Sequence, residues 1–272
     1  MTPTRSENVD PAALLAWYVE MGVDVAVQET PVDRFAPATP ARPRPTTPPA
    51  FIERPERVGT IQPAAAVPAS DEIAGAAREI AKSSNTLDEL RAALERFDGC
   101  NLKLTATQLV FADGSPEARV MLVGEAPGRD EDIEGLPFVG RSGQLLDRML
   151  AAIGLDRKSV YIANVVPWRP PGNRTPTPQE TAICRPFIER QIELVDPDFL
   201  ICLGGAAAKE LMNTSEGILR LRGHWRDYDT GRRKIHVMAT LHPAYLLRQP
   251  LQKRLAWRDF LALKAALEAA SQ

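Results

Sequence analysis

The sequence predicts an α/β fold, with a parallel sheet covered by helices on both faces. Three observations lead there. Four short apolar runs, at 119–125, 160–166, 199–204 and 234–241, have the length and composition of strands. Stretches of helical periodicity separate them. The runs are also nearly continuous in apolar residues rather than alternating, as strands buried on both faces are.

The elements follow in chain order. Within 1–30, Asp10 can cap a helix, Pro11 suits its first position, and Leu14, Leu15, Tyr18 and Met21 repeat at helical spacing. This short N-terminal helix would either dock on its own domain or bind a partner. Prolines crowd from Pro31 to Pro68, which removes backbone donors and forbids helix interiors. Residues 31–70 therefore read as an extended or disordered linker. A single domain is expected over 71–272. It opens with two helices broken at Ser83-Ser84-Asn85. SGQLLDRMLAAIG, TPQETAICRPFIERQIELV and GAAAKELM then supply the helices between strands.

Composition narrows the function classes. The chain has 272 residues, 44% of them hydrophobic, and a formal net charge of −2. No apolar run approaches the roughly 20 residues needed to span a bilayer. There is no cationic, apolar secretion signal. Three cysteines, none in a CxxC pair, suit a reducing cytoplasm and argue against a disulfide framework.

In a parallel sheet the ligand lies beyond the C-terminal strand edges. Here those edges carry Gly124-Glu125, Asn164, Gly204-Gly205 and His242-Pro243. Taken singly, each has an ordinary reading. Glu125 can be a cap partner or a solvated loop charge, Asn164 can satisfy nearby backbone, and His242 and Phe138 can be core. Together they place a carboxylate, an amide, an imidazole and an aromatic ring at one crevice. Those parts suit a planar, hydrogen-bonding base: the ring stacks, the amide offers one acceptor and one donor, and the imidazole donates where negative charge develops. A carboxylate serves an electron-poor sugar carbon, as in glycoside hydrolysis.

The motifs GEAPGRDED (124–132), GLPFVGRSGQLLDRML (135–150), YIANVVPWRPPGNRTPTPQE (161–180), ELVDPDFLICLGGAAA (193–208) and HPAYLLR (242–248) resemble, in order and spacing, uracil-DNA glycosylases of the superfamily's fourth family. The resemblance implies a three-layer αβα fold around a four-stranded parallel sheet. It implies a monofunctional enzyme of base excision repair, hydrolysing the N-glycosidic bond of uracil in DNA to leave an abasic site. Glu125 would serve the attacking water and His242 the base's O2. Ala126, Phe138 and Asn164 would form the uracil slot, with Glu131 near C5 to exclude thymine. RRKIH (232–236) resembles in letters the loop of a covalently DNA-trapping branch, but it opens a late strand here. Ordinary hydrolysis is expected.

The DNA side has its own signal. Between 220 and 258 lie ten cationic residues opposed only by Asp227 and Asp229, with Trp225, Tyr228, Tyr245 and Trp257 interleaved. Asn173, Arg174, Arg248, Lys253 and Arg254 are the expected DNA contacts. Leu246 and Leu247 are the candidates for an apolar wedge replacing an extruded base. The resemblance implies uracil-containing DNA, single- or double-stranded, as the partner, and a monomer in the cytoplasm with no membrane involved is expected.

One family feature is missing. The resembled family holds a [4Fe–4S] cluster on four cysteines, whose positions here are Phe97, Cys100, Trp168 and Cys184. Cys202 sits in an apolar strand. No cofactor and no metal are expected, and Phe97 and Trp168 are expected to pack against each other as a plug. Two rival readings remain: a non-catalytic damaged-DNA-binding module, and a nucleoside or nucleotide hydrolase. The first gives no reason for Glu125, Asn164 and His242 to occur together. The second predicts a phosphate cradle, and neither GxGxxG nor GxxxxGK[ST] is present.

Overall fold

The computed structural model describes residues 70–270. The helical segment expected within 1–30 and the proline-rich stretch 31–68 lie outside them. Among the described residues the helices are α1 (Ser70–Ser83), α2 (Leu87–Arg96), α3 (Arg129–Glu134), α4 (Arg141–Ala151), α5 (Pro178–Val195), α6 (Gly205–Leu211), α7 (Ile218–Leu221), α8 (Pro243–Arg248) and α9 (Lys253–Ala269). The strands are β1 (Asp113–Gly114), β2 (Val120–Gly124), β3 (Tyr161–Asn164), β4 (Phe199–Leu203), β5 (Arg226–Asp229) and β6 (Lys234–Thr240).

The sheet runs β1-β3-β2-β4-β6-β5. Its inner four strands are the parallel set read from the sequence, and each falls within its expected range. The edges were not anticipated. β1 and β5 each add antiparallel to an outer strand. β5 reads RDYD, so only alternate residues turn inward and no apolar run announces it.

Period-two alternation splits the buried strands between two cores. Met121, Val123, Ala163, Leu200, Cys202 and Ala239 pack with Leu90 of α2 and Phe187 and Ile188 of α5. Val120, Leu122, Ile162, Ile201, Leu203 and Met238 face Leu146 and Leu150 of α4 and Phe260 and Leu263 of α9. This is a three-layer αβα arrangement. Register pairs Gly124 with Asn164, Val123 with Cys202, and Leu203 with Thr240. The four parallel strands therefore end side by side, which brings their following residues to one edge.

Candidate active site

Beyond that edge lies a crevice of about 460 Å³. Glu125, Ala126, Glu131, Phe138, Asn164, Asn173, Arg174, His242 and Arg248 all line it. Leu246, Leu247, Lys253 and Arg254 lie outside its lining.

Gly124 closes β2 beneath two of the side chains that line the crevice. A Cβ at Gly124 would stand 2.5 Å from Asn164 Oδ1 and 2.6 Å from the Phe138 ring, so only glycine leaves room there. Phe138 is buried, with its ring centroid 5.5 Å from that of His242. Asn164 Oδ1 and Glu125 Oε1 are buried without a hydrogen-bond partner. An unmatched buried acceptor costs about 1–3 kcal/mol, so two in one crevice mark groups placed for a ligand rather than for the fold. Burial raises the Glu125 pKa, and the Thr175 hydroxyl beside it opposes that rise.

His242 caps α8, and its Nδ1 accepts the Ala244 N–H at 3.1 Å. A backbone N–H only donates, so Nδ1 carries the lone pair and the ring proton sits on Nε2. Burial first, and the Arg248 charge second, push the imidazole pKa down to about 4. The ring is thus a neutral donor near pH 7.

Other expected contacts take different roles. Both oxygens of Glu131 accept backbone N–H groups, from Gly140 and from Gly128, each at 3.0 Å. This carboxylate ties two walls of the crevice together. Arg174 is held bidentately by Glu180 at 2.6 and 2.8 Å, which draws the Glu180 carboxyl down to about 2. Glu180 is also the capping-box residue of α5, so Arg174 anchors its loop to that helix. Asn173 Oδ1 accepts from Arg169 at 2.7 Å.

Leu246 is corrected. The stretch 243–248 is helical, and that phase turns Leu246 inward with 1% exposure, against Leu145 and Met149. Leu247, one position round the helix, is 37% exposed.

The basic stretch also divides. A strand rises about 3.3 Å per residue, so the start of β6 lies on the order of 20 Å from the crevice edge. Arg232, Arg233 and Lys234 cluster at that far end, Arg226 lies opposite Val237 midway along β6, and Trp225 packs on Phe199 and His236. Arg226 pairs with Glu216, Arg233 with Asp196 and Asp198, and Arg222 with buried Asp259. Arg248 lines the crevice, and Arg248, Lys253 and Arg254 make no ion pair among the described residues.

The four positions that the resemblance assigns to cluster ligands lie together in one core. Cys184 Sγ donates to Cys100 Sγ at 3.8 Å, both buried. Phe97 and Trp168 lie in the same core, at 7% and 2% exposure. The ring contact of Phe97, however, is with Phe187 of α5, at 5.1 Å and 59°. Phe187 follows Cys184 by about one helical turn and lies in the same core as Trp168. Two thiols among aromatic rings do not supply four-thiolate ligation. Among the described residues no group of three or more His, Cys, Asp or Glu is arranged to hold a metal.

Thr175 was not anticipated. It lies within GNRTPTP, where a threonine just before a proline reads as turn chemistry. Only the folded chain shows its hydroxyl beside Glu125.

A family profile described as the uracil DNA glycosylase superfamily matches residues 111–261. The chain is 40% identical over 179 residues to a type-4 uracil-DNA glycosylase of Archaeoglobus fulgidus, covering 64% of this chain and 90% of that protein. With a type-4 uracil-DNA glycosylase of Thermotoga maritima it shares 42% over 156 residues, 57% of this chain and 80% of the relative. With one of Saccharolobus solfataricus it shares 37% over 188 residues, 67% and 87% respectively.

Proposed function

The chain belongs to the uracil DNA glycosylase superfamily, and from that premise we propose that it hydrolyses the uracil–deoxyribose bond in DNA. The observation that carries this reading is the pair of unpartnered buried acceptors, Glu125 Oε1 and Asn164 Oδ1, in one crevice with the His242 donor.

A uracil inside a duplex is out of reach, so the base is extruded. It enters the crevice and stacks on Phe138. Asn164 Oδ1 accepts the N3–H and Nδ2 donates to O4. As the C1′–N1 bond breaks, its electron pair passes into the base, and His242 Nε2–H donates to the charge growing on O2. The sugar is left electron-poor at C1′. Water attacks there and passes its proton to the Glu125 carboxylate, which orients it and offsets the positive charge, while the uracil anion takes up a proton from solvent. The products are free uracil and an abasic site. Incubation with a uracil-bearing oligonucleotide should give breaks only after alkali. Breaks without alkali point to a lyase, and no alkali-dependent breaks overturn the reading.

This chemistry needs Glu125 ionised and His242 neutral, and both conditions fail as pH falls. Glu125 has the raised pKa and His242 one of about 4, so Glu125 protonates first and sets the acid limb. Thr175→Val removes the opposing hydroxyl and should shift that limb to higher pH. A pH–rate profile identical to the wild type would disconnect Thr175 from Glu125.

On the DNA side, Leu247 is the apolar wedge, and Arg248, Lys253 and Arg254 meet phosphates. Replacing Lys253 and Arg254 with Ala should weaken binding equally for uracil-bearing and plain DNA. The slope of log K against log salt should become shallower by about 0.7–0.9 for each phosphate that is no longer neutralised. A weakening confined to uracil-bearing DNA would place them in the pocket instead. We infer further that the enzyme works without an iron–sulfur cluster, since the chain has three cysteines and one of them, Cys202, lies in β4. Among the described residues no helix is long and apolar enough to cross a membrane.

A further inference from the structure

Behind the crevice, one guanidinium grips the loop that carries the stacking ring. Arg157 lies between α4 and β3 with its side chain 25% exposed. Its Nε donates to Asp147 of α4 at 2.7 Å, and its Nη1 to Asp113 of β1 at 2.6 Å. Nη1 also donates to the Pro137 carbonyl at 3.2 Å, and Nη2 to the Phe138 carbonyl. Two aspartates thus fix the plane of the fork, and the fork is aimed at consecutive backbone oxygens.

Those oxygens belong to an unusual turn. Phe138 has φ of 55°, the left-handed region that a bulky side chain rarely adopts and that persists only where its surroundings enforce it. Gly143 is part of that enforcement, since any Cβ there would strike the Phe138 carbonyl. The ring on the same residue closes over Gly124 and faces His242. Holding the carbonyl of a residue in this conformation therefore also sets the plane of its ring.

We propose that Arg157 is a positioning residue for the base slot: through the carbonyls of Pro137 and Phe138 it holds Phe138 left-handed and sets the ring on which the base stacks. Arg157 touches no substrate, and Asp113 and Asp147 act one step further back by orienting it. The proposal rests on the reading of the crevice as a uracil slot. It adds a residue that the strand-edge pattern does not reveal, because Arg157 follows α4 and precedes β3, away from the edge.

The test is a double-mutant cycle under single-turnover conditions on a uracil-bearing oligonucleotide. Arg157→Gln should slow uracil release by on the order of 10- to 100-fold, the scale of a misplaced reacting group. Affinity for plain DNA should stay as in the wild type. In a Phe138→Ala background the same substitution should cost no further rate, because the ring it positions is gone. Asp147→Asn, which loosens the fork without removing it, should give a smaller loss of the same kind and serves where Arg157→Gln folds poorly. Amide exchange across residues 136–142 should quicken in each Arg157 and Asp147 variant, whatever base the enzyme removes. Losses that add in full across the cycle, or a wild-type rate in Arg157→Gln and Asp147→Asn, overturn the proposal. A wild-type enzyme that releases no uracil overturns the reading of the slot, and amide exchange then still decides whether Arg157 holds the loop.

Discussion

Glu125→Ala should lose on the order of 100-fold or more in single-turnover uracil release, the scale for removing one preorganised charge-stabilising group, while binding uracil-bearing DNA as the wild type does. The reason lies in what the carboxylate does when no substrate is present. Its Oε1 has no partner, and burial works against its ionised form. A group held in that state contributes little to the fold and reserves its interaction for a positive centre. Glu125→Gln keeps the shape and removes the charge, so it should fall nearly as far. His242→Ala should also lose rate rather than affinity, since its donor meets charge that exists only as the bond breaks. Combining the two should cost less than the sum of their free-energy losses, because both serve one transition state. Turnover of Glu125→Ala near the wild-type level would remove the carboxylate from the mechanism. Weakened DNA binding with unchanged chemistry would move it to recognition.

The central strands and the residues at their ends were legible because burial on both faces leaves a continuous apolar run, and each run stops at a residue with distinct chemistry. Glu125, Asn164 and His242 could be read off for that reason, and Phe138, which lies between α3 and α4, from the motif around it. Contacts between distant parts of the chain were not legible. Arg222 reads as one more cation in a basic stretch until the fold sets it against Asp259, 37 residues on. Arg233 reads the same way until it meets Asp196 and Asp198. Leu246 and Leu247 are indistinguishable as letters, and helical phase alone decides which is exposed. Charge counted along a sequence measures neither pairing nor which end of the sheet a cation occupies.

Trp168→Ala should destabilise the protein by about 3–5 kcal/mol, the range for truncating a large buried aromatic. The indole is 2% exposed and among the largest fully buried side chains. It lies in one core with Phe97, Cys100, Cys184 and Phe187, which links the turn after α2 to the middle of α5. Truncation opens a space that these neighbours fill only in part, because Phe97 already rests on Phe187 and the two sulfurs are 3.8 Å apart. Trp168→Phe should recover much of the loss, since it restores ring volume without any ligating atom. Denaturant unfolding should show the midpoint moving at an unchanged slope. Iron chelators should leave both proteins unaffected. The Val110 N–H bonds to the carbonyl of the preceding Pro167 at 2.9 Å, so the same packing seats the arm that runs on to Arg174 and Thr175. Trp168→Ala should accordingly slow uracil release modestly as well as lower stability. Recovery of that stability by added iron and sulfide would show that this region still builds a cluster, and a loss below about 1 kcal/mol would show that the indole does not fill it.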